Sequence, residues 1–447
     1  MSSKKSSLTK TLLLLLIFPL LVFAVKTVLD LRKGASGTLA NIVIDASSPQ
    51  GNIPKLWQNL SQGGEEPTDM IGPVAKLLKP LSPQLIRIDH LFDYYQVDQG
   101  NSNYDFSRLD TAVNSILATG AKPLLSISYT PDSKAPADWN QWSQLVKATA
   151  RHYSIDKNIS GIYYEVWNEP DLFGGWHYNK DPNYSTLYIK TSKAVSEGAG
   201  NSVFKVGGPA ITAYYPNWIK SLFKTAKNSG VRLDFISWHK YSKNLENYDA
   251  DFNSLNSILA DYPEYFNVER LITEVGPNPE PDVWYDNSVS GVHLISLSTR
   301  LAGKIHRLFT FEPVDGPTAR ASSSTGWGII THEGKPKPRY YALEFLNKLQ
   351  GLQLPIDGNG SWVTSLATKN GKNIQILLSN YDQNSTHAET IPLTVNHLTP
   401  GKYILKNTPY LGKTTQKVIT VDQTSIYKDN IFLDINTATL LEITPTN

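Results

Sequence analysis

Two glutamates occupy matching places in this chain. Glu169 ends the stretch I-Y-Y-E-V-W-N-E over 162–169 and is followed by Pro170, and Glu274 ends L-I-T-E and is followed by V-G-P. Ile162, Tyr163, Val166 and Trp167 suit a buried strand, while Pro170 has no N–H with which to continue a ladder. Both acids are therefore expected at the C-terminal edges of strands. A carboxyl group between Trp167 and a proline, with Phe173 and Trp176 just beyond, loses solvent, which raises its pKa and keeps its proton. Glu274 has no such crowd of aromatics and is expected to stay ionised. An acid and a carboxylate facing one another across a bond are what glycosidic cleavage requires. In the retaining form the two carboxyls stand ~5–5.5 Å apart, one as acid and base, the other as nucleophile. The alternative for Glu169 is an ordinary glutamate in a strand-end turn.

Such a pair needs a scaffold that brings distant strand ends together. From Asn41 onward, strand-like and helix-like segments alternate, the pattern of a parallel sheet with helical crossovers. The strands are expected at 56–60, 85–88, 123–127, 162–167, 204–206, 233–237, 271–273 and 308–311. One intervening helix begins after Asp105, carries Leu109, Val113, Ile116 and Leu117 at helical spacing, and stops at Gly120. Another carries Trp142, Leu145 and Val146. Eight such units close into a (β/α)8 TIM barrel, an α/β fold whose catalytic groups sit at the C-terminal ends of the strands. The barrel is expected over 41–350. After a last helix at 339–349, short alternating segments separated by Gly, Asn and Pro turns predict an antiparallel β-sandwich over 351–447, which strand 41–46 can join.

The 447 residues carry 42 Lys and Arg against 40 Asp and Glu, a formal charge of +2. That balance supplies no field to draw nucleic acid or an anionic membrane surface. The absence of cysteine excludes disulfides, thiol catalysis and Cys-ligated metals. H-E-x-x-H, G-x-S-x-G, P-loop and G-x-G-x-x-G signatures are missing, which removes zinc proteolysis, serine hydrolysis, nucleotide hydrolysis and dinucleotide binding. The two-carboxylate mechanism needs no metal or cofactor, and none is expected. Residues 1–33 read as a signal peptide or N-terminal membrane anchor. Lys4, Lys5 and Lys10 precede an apolar run, attachment would be through residues 11–25, and charge returns at Lys26, Arg32 and Lys33. The body is then extracytoplasmic, secreted or anchored to the cell membrane.

The motifs W-N-E-P at 167–170, V-G-G-P at 206–209, L-D-F-I-S-W-H at 233–239 and T-E at 273–274 follow one another on successive expected strands. In that order the chain resembles clan A glycoside hydrolases and, within them, family 39, which holds β-xylosidases and α-L-iduronidases. The resemblance implies an O-glycosyl hydrolase with Glu169 as acid/base, Glu274 as nucleophile, Asn168 on the sugar hydroxyl beside the anomeric carbon, and His239 as a polar contact. It also implies an aromatic floor at Trp327.

Arg87, in I-R-I-D-H, is expected as a fixed cation holding Glu274 ionised, or else paired structurally with Asp89. Tyr241 follows His239 and is expected at the nucleophile, at a sugar hydroxyl or in packing. His90, Trp176 and Tyr129 complete the expected substrate contacts, and Lys240 is a cation that a uronate would want. An oligo- or polysaccharide is the implied partner. A non-catalytic polysaccharide-binding surface protein and a transglycosylase are the alternatives.

Overall fold

The computed structural model describes residues 37–64, 66–132, 134–317 and 326–446. The segment read as a signal or anchor lies outside the described residues, and no described helix is long and apolar enough to cross a membrane.

Strand β1 (Ile42–Asp45) precedes the barrel. The barrel strands are β2 (Asn59–Gln62), β3 (Leu85–Ile88), β4 (Lys122–Ile127), β5 (Ile162–Val166), β6 (Phe204–Ile211), β7 (Phe235–Tyr241), β8 (Glu269–Gly276) and β9 (Arg307–Phe311). They close in sequence order, with β9 parallel to β2. The expected TIM barrel with an additional β-sandwich is therefore the fold. The first barrel strand begins three residues later than expected, because Leu56 and Trp57 belong to the turn before it. There the Leu56 carbonyl accepts from Leu308 N–H (2.8 Å) and the Trp57 indole N–H donates to Asn347 (2.9 Å).

Period-two alternation sorts each barrel strand into an inner and an outer face. Leu85, Leu124, Tyr163, Phe235, Leu271 and Phe309 point inward and form an apolar floor. Their outer neighbours, among them Ile86, Leu125, Tyr164, Ile236, Ile272 and Leu308, pack under the surrounding helices. One step above the floor the inner positions turn polar: Ser61, Arg87, Ser126, Glu165, Ser237 and Thr273 are all fully buried. Where V-G-G-P crosses this layer, a Cβ on Gly207 would collide with the Phe235 carbonyl oxygen, so only glycine lets β6 and β7 pair.

Nine further strands follow: β10 (Leu352–Gln353), β11 (Ile356–Asp357), β12 (Val363–Asn370), β13 (Asn373–Asn380), β14 (Glu389–Asn396), β15 (Gly401–Pro409), β16 (Thr415–Val421), β17 (Ile426–Leu433) and β18 (Thr437–Pro445). They form a six-stranded sheet, ordered β10-β12-β13-β18-β15-β16, and a four-stranded sheet, ordered β11-β1-β14-β17. The sandwich is not wholly antiparallel. β1 lies parallel to β14 because it reaches the sheet from the opposite end of the barrel sequence. The helix Ser288–Leu301 is buried on nearly all sides and joins the units: Ser296 and Thr299 hydrogen-bond Ser379 (2.6 Å) and Thr364 (2.5 Å).

Candidate active site

The polar layer feeds directly into the barrel mouth. Arg87 reaches inward from β3 and makes four hydrogen bonds. Its Nε donates to Glu165 (2.6 Å), Nη1 to Glu274 (3.1 Å) and to Ser61 (3.2 Å), and Nη2 to the Asn168 side-chain carbonyl (2.7 Å). Asp89, its expected structural partner, stands 4.0 Å off. Burial works against the guanidinium charge, but Glu165, Glu274 and Asp89 outweigh it and hold the cation more firmly than in water. One arginine thus fixes two acids and an amide. An Arg87→Met variant leaves Glu165 and Glu274 buried without their cation, and should lose about 3–5 kcal/mol of stability in urea unfolding. A loss below ~1 kcal/mol would remove Arg87 from this role.

The chain after β5 turns twice within three residues. Trp167 (φ 70°) and Glu169 (φ 47°) take left-handed backbone, at a cost of order 1–3 kcal/mol each. The turn is held by Ser126 Oγ donating to the Trp167 carbonyl (2.9 Å), the Trp167 indole N–H donating to the Phe173 carbonyl (3.0 Å), and Glu169 N–H donating to the Ala210 carbonyl (2.9 Å). Its effect is to send Trp167 into the core while Asn168 and Glu169 face the mouth.

Glu274 is turned inward by a different device. Simple alternation from Leu271 would put Thr273 inside and Glu274 outside. The register slips at this point on both sides of β8, pairing His239 with Glu274 and Val275 with Thr310. A bulge of this kind re-aims a side chain, and here it brings the carboxylate over the barrel.

Glu274 then receives Arg87 at Oε1 and the Tyr241 hydroxyl at Oε2 (2.8 Å). His239 Nδ1 lies 2.9 Å from Glu169 Oε1 and 3.3 Å from Glu274 Oε2, bridging the acids. Its Nε2 is buried with no partner among the described residues, so the neutral ring keeps its proton on Nδ1. Burial disfavours the imidazolium, but Glu274 and Glu169 more than offset it and raise the His239 pKa. Asn168 is pinned at both ends, by Arg87 and by the Tyr129 hydroxyl, which accepts from Nδ2 (2.7 Å).

Solvent is distributed differently from the sequence expectation. The side chain of Glu169 keeps 17% of its exposure and that of Glu274 only 8%, because Trp167 and Trp176 pack beneath the site and not around Glu169. Burial is therefore the dominant influence on Glu274. It pushes that carboxyl up, to about 7, against the opposing pull of His239 and Arg87.

The residues matching the family profile for glycosyl hydrolases family 39 run from 42 to 405. The chain belongs to glycosyl hydrolase family 39. A β-xylosidase of Caldicellulosiruptor saccharolyticus is 25% identical over 393 residues, spanning 77% of this chain and 79% of its own. Two solved structures share the fold. A monomeric β-xylosidase from Caulobacter crescentus CB15 has a TM-score of 0.75 at 20% identity, over 91% of this chain and all of its own. A family 39 enzyme from Xanthomonas axonopodis pv. citri has a TM-score of 0.74 at 19% identity, over 92% of this chain and 98% of its own.

In this family 39 hydrolase, Glu169, Glu274, Asn168, His239, Arg87 and Tyr241 meet around one cavity mouth, while the other expected residues divide. Trp327 lines the cavity, its indole N–H donating to the Pro279 carbonyl (3.1 Å) and its ring edge-on to Phe311 (5.8 Å). His90 stands a layer back, stacked on Tyr94 and hydrogen-bonded to Asp93 (2.7 Å), and meets the edge of Tyr129 (4.7 Å). Trp176 is 2% exposed and packs on Trp167 and Trp139, which makes it part of the core.

Glu165 was not singled out by sequence, although two steps of alternation from Tyr163 place it inside the barrel. Among the described residues, Glu169, His239 and Glu274 form the group whose donor atoms, all within 4.8 Å of one another, could hold a metal ion. Arg87 and Tyr241 already donate to both oxygens of Glu274.

Proposed function

We propose that this glycosyl hydrolase cleaves β-xylosidic bonds of oligo- or polysaccharides by double displacement with retention, Glu274 attacking and Glu169 serving as acid and then base. The observation that carries the reading is the proximity of the two carboxyls, one oxygen of each lying within 4.8 Å of one of the other. That separation matches the retaining geometry of ~5–5.5 Å and leaves no room for the water that an inverting pair places at ~6.5–9.5 Å.

Roles follow from the donors. Glu274 accepts from a guanidinium and a phenol, which favours the anion a nucleophile must be, despite its burial. Glu169 has neither, and faces the imidazole that can hold or return a proton as the acid becomes a base. Asn168, held by Arg87 and Tyr129, keeps one amide hydrogen for the sugar hydroxyl beside the reacting carbon.

A neutral sugar suits the site better than a uronate. Lys240, the cation a uronate would want, is paired with Asp251 (2.8 Å), and none of the described residues lining the cavity is Lys or Arg. The relatives named as β-xylosidases make xylose the first sugar to test. We further propose that residues 1–33 deliver the enzyme outside the cytoplasm.

Proton NMR of the first product from an aryl β-xyloside tests the mechanism. The β-anomer should appear before mutarotation. An α-anomer as first product would sink both the roles and the double displacement. A parallel panel of xylosides, glucosides, arabinosides and uronides tests the sugar, and the reading fails there if a uronide is the best substrate.

A further inference from the structure

The cavity above the two glutamates has a volume of about 660 Å3. That falls in the range of sites that take a molecule of several rings, roughly 300–1,000 Å3. Its walls are unlike one another. Beside Glu274, Tyr241, Phe311 and Trp327 pack edge to face and are buried or half-buried. Beside Glu169, Leu172, Phe173 and Tyr215 line the same cavity while 61%, 42% and 43% exposed. Three large apolar side chains at one rim of a polar cleft form a surface that water covers poorly.

This rim is built into the frame that holds the acid. Leu172 and Phe173 both donate their N–H groups to the Glu169 carbonyl (2.9 and 2.7 Å). The Phe173 carbonyl accepts from the Trp167 indole (3.0 Å), and its ring stands edge-on to Tyr129 (5.8 Å), which carries Asn168. Asp171 accepts from the N–H of Thr212 (2.9 Å) and from its hydroxyl, tying the loop after β6, with Tyr215 three residues on, to the loop after β5. Phe173 is therefore positioned relative to Glu169 by backbone hydrogen bonds, and the loop that carries Tyr215 by the Asp171 carboxylate.

The direction of proton delivery assigns the rim a side. An acid protonates the glycosidic oxygen, so what lies beyond the acid is the leaving group. We propose that Phe173 and Tyr215, with Leu172 between the loops, form a subsite for the leaving-group sugar of an oligosaccharide, stacking on its C–H face and selecting extended substrates over simple glycosides. The assignment rests on Glu169 being the acid. Binding energy gathered there acts at the reacting centre, because contacts remote from the bond lower the barrier when they are kept in the transition state. The same surface would receive a sugar acceptor during the second displacement, in place of water.

The test compares two leaving groups. β-1,4-Xylobiose leaves as a sugar that must lie on the rim, whereas β-xylosyl fluoride leaves as an ion too small to touch it and needs no proton. In a Phe173→Ala/Tyr215→Ala double variant, the ratio of kcat/KM for xylobiose to that for the fluoride should fall about tenfold or more. Phe173→Trp, which keeps a flat face, should retain the native ratio. A double variant within about twofold of the native ratio would overturn the subsite, that being below the effect of one aromatic contact. Native enzyme inactive on both substrates would instead overturn the proposed function and the subsite with it, which separates the two failures.

Discussion

A Glu274→Gly variant should lose turnover of an activated aryl β-xyloside by on the order of 10⁵-fold, the scale on which removal of a covalent nucleophile is felt, and should recover with azide. Arg87 and the Tyr241 hydroxyl both point at the volume the carboxylate vacates. A small anion entering there takes over the same two donors and the charge that Glu274 supplied. From that position azide attacks the face opposite the leaving group, so the product should be the α-xylosyl azide. The same addition to Glu169→Ala should give the β-azide, because there the anion enters from the leaving-group side after Glu274 has formed its ester. Exchanged stereochemistry between the two variants would exchange the roles. Absence of rescue in a Glu274→Gly protein that still melts cooperatively would remove Glu274 as nucleophile.

How much of this site was open to the sequence depends on what each residue's place required. Glu169, Glu274, His239 and Arg87 were legible because each ends or nearly ends an apolar run, and in a parallel barrel every strand end opens on the same mouth. Glu165 could have been read by carrying the two-residue alternation inward from Tyr163, since a carboxylate on that face needs a cation such as Arg87. The turn of Glu274 into the mouth had no such signal. It depends on a register slip at Thr273, which changes hydrogen-bond pairing and leaves no mark in composition. The solvent at Glu169 was misjudged because sequence neighbours were taken for spatial ones. Trp167 lies two positions away yet turns to the opposite side, through its own left-handed backbone. In the sandwich, β17 is hard to read from the sequence because Asp429 takes an inner position, where the Tyr427 hydroxyl and Lys417 donate to it, while the apolar Ile426 and Phe432 face outward. Trp176 was misplaced for the same reason as the solvent: aromatic residues after an active-site motif can as well wedge the motif from below.

Glu169→Ala should separate substrates by how much their leaving groups need a proton. Xylobiose should lose about 10²–10⁴-fold in kcat/KM, the usual worth of a positioned acid. A dinitrophenyl xyloside, whose phenolate departs unaided, should keep its first step, and the glycosyl-enzyme should then accumulate as a burst for want of a base. Equal losses on both would take Glu169 out of the acid role. The pH profile carries a second, independent sign. Native kcat/KM should be bell-shaped, rising with pH as Glu274 ionises and falling as the acid loses its proton. Because burial pushes Glu274 above the ordinary 4.5, the rising limb should lie above that value. Glu169→Gln keeps the shape of the protonated acid, which carries no charge while Glu274 ionises, so on the dinitrophenyl substrate it should abolish the falling limb and leave the rising limb in place. A falling limb that survives the substitution would point to some other acid and take Glu169 out of that role.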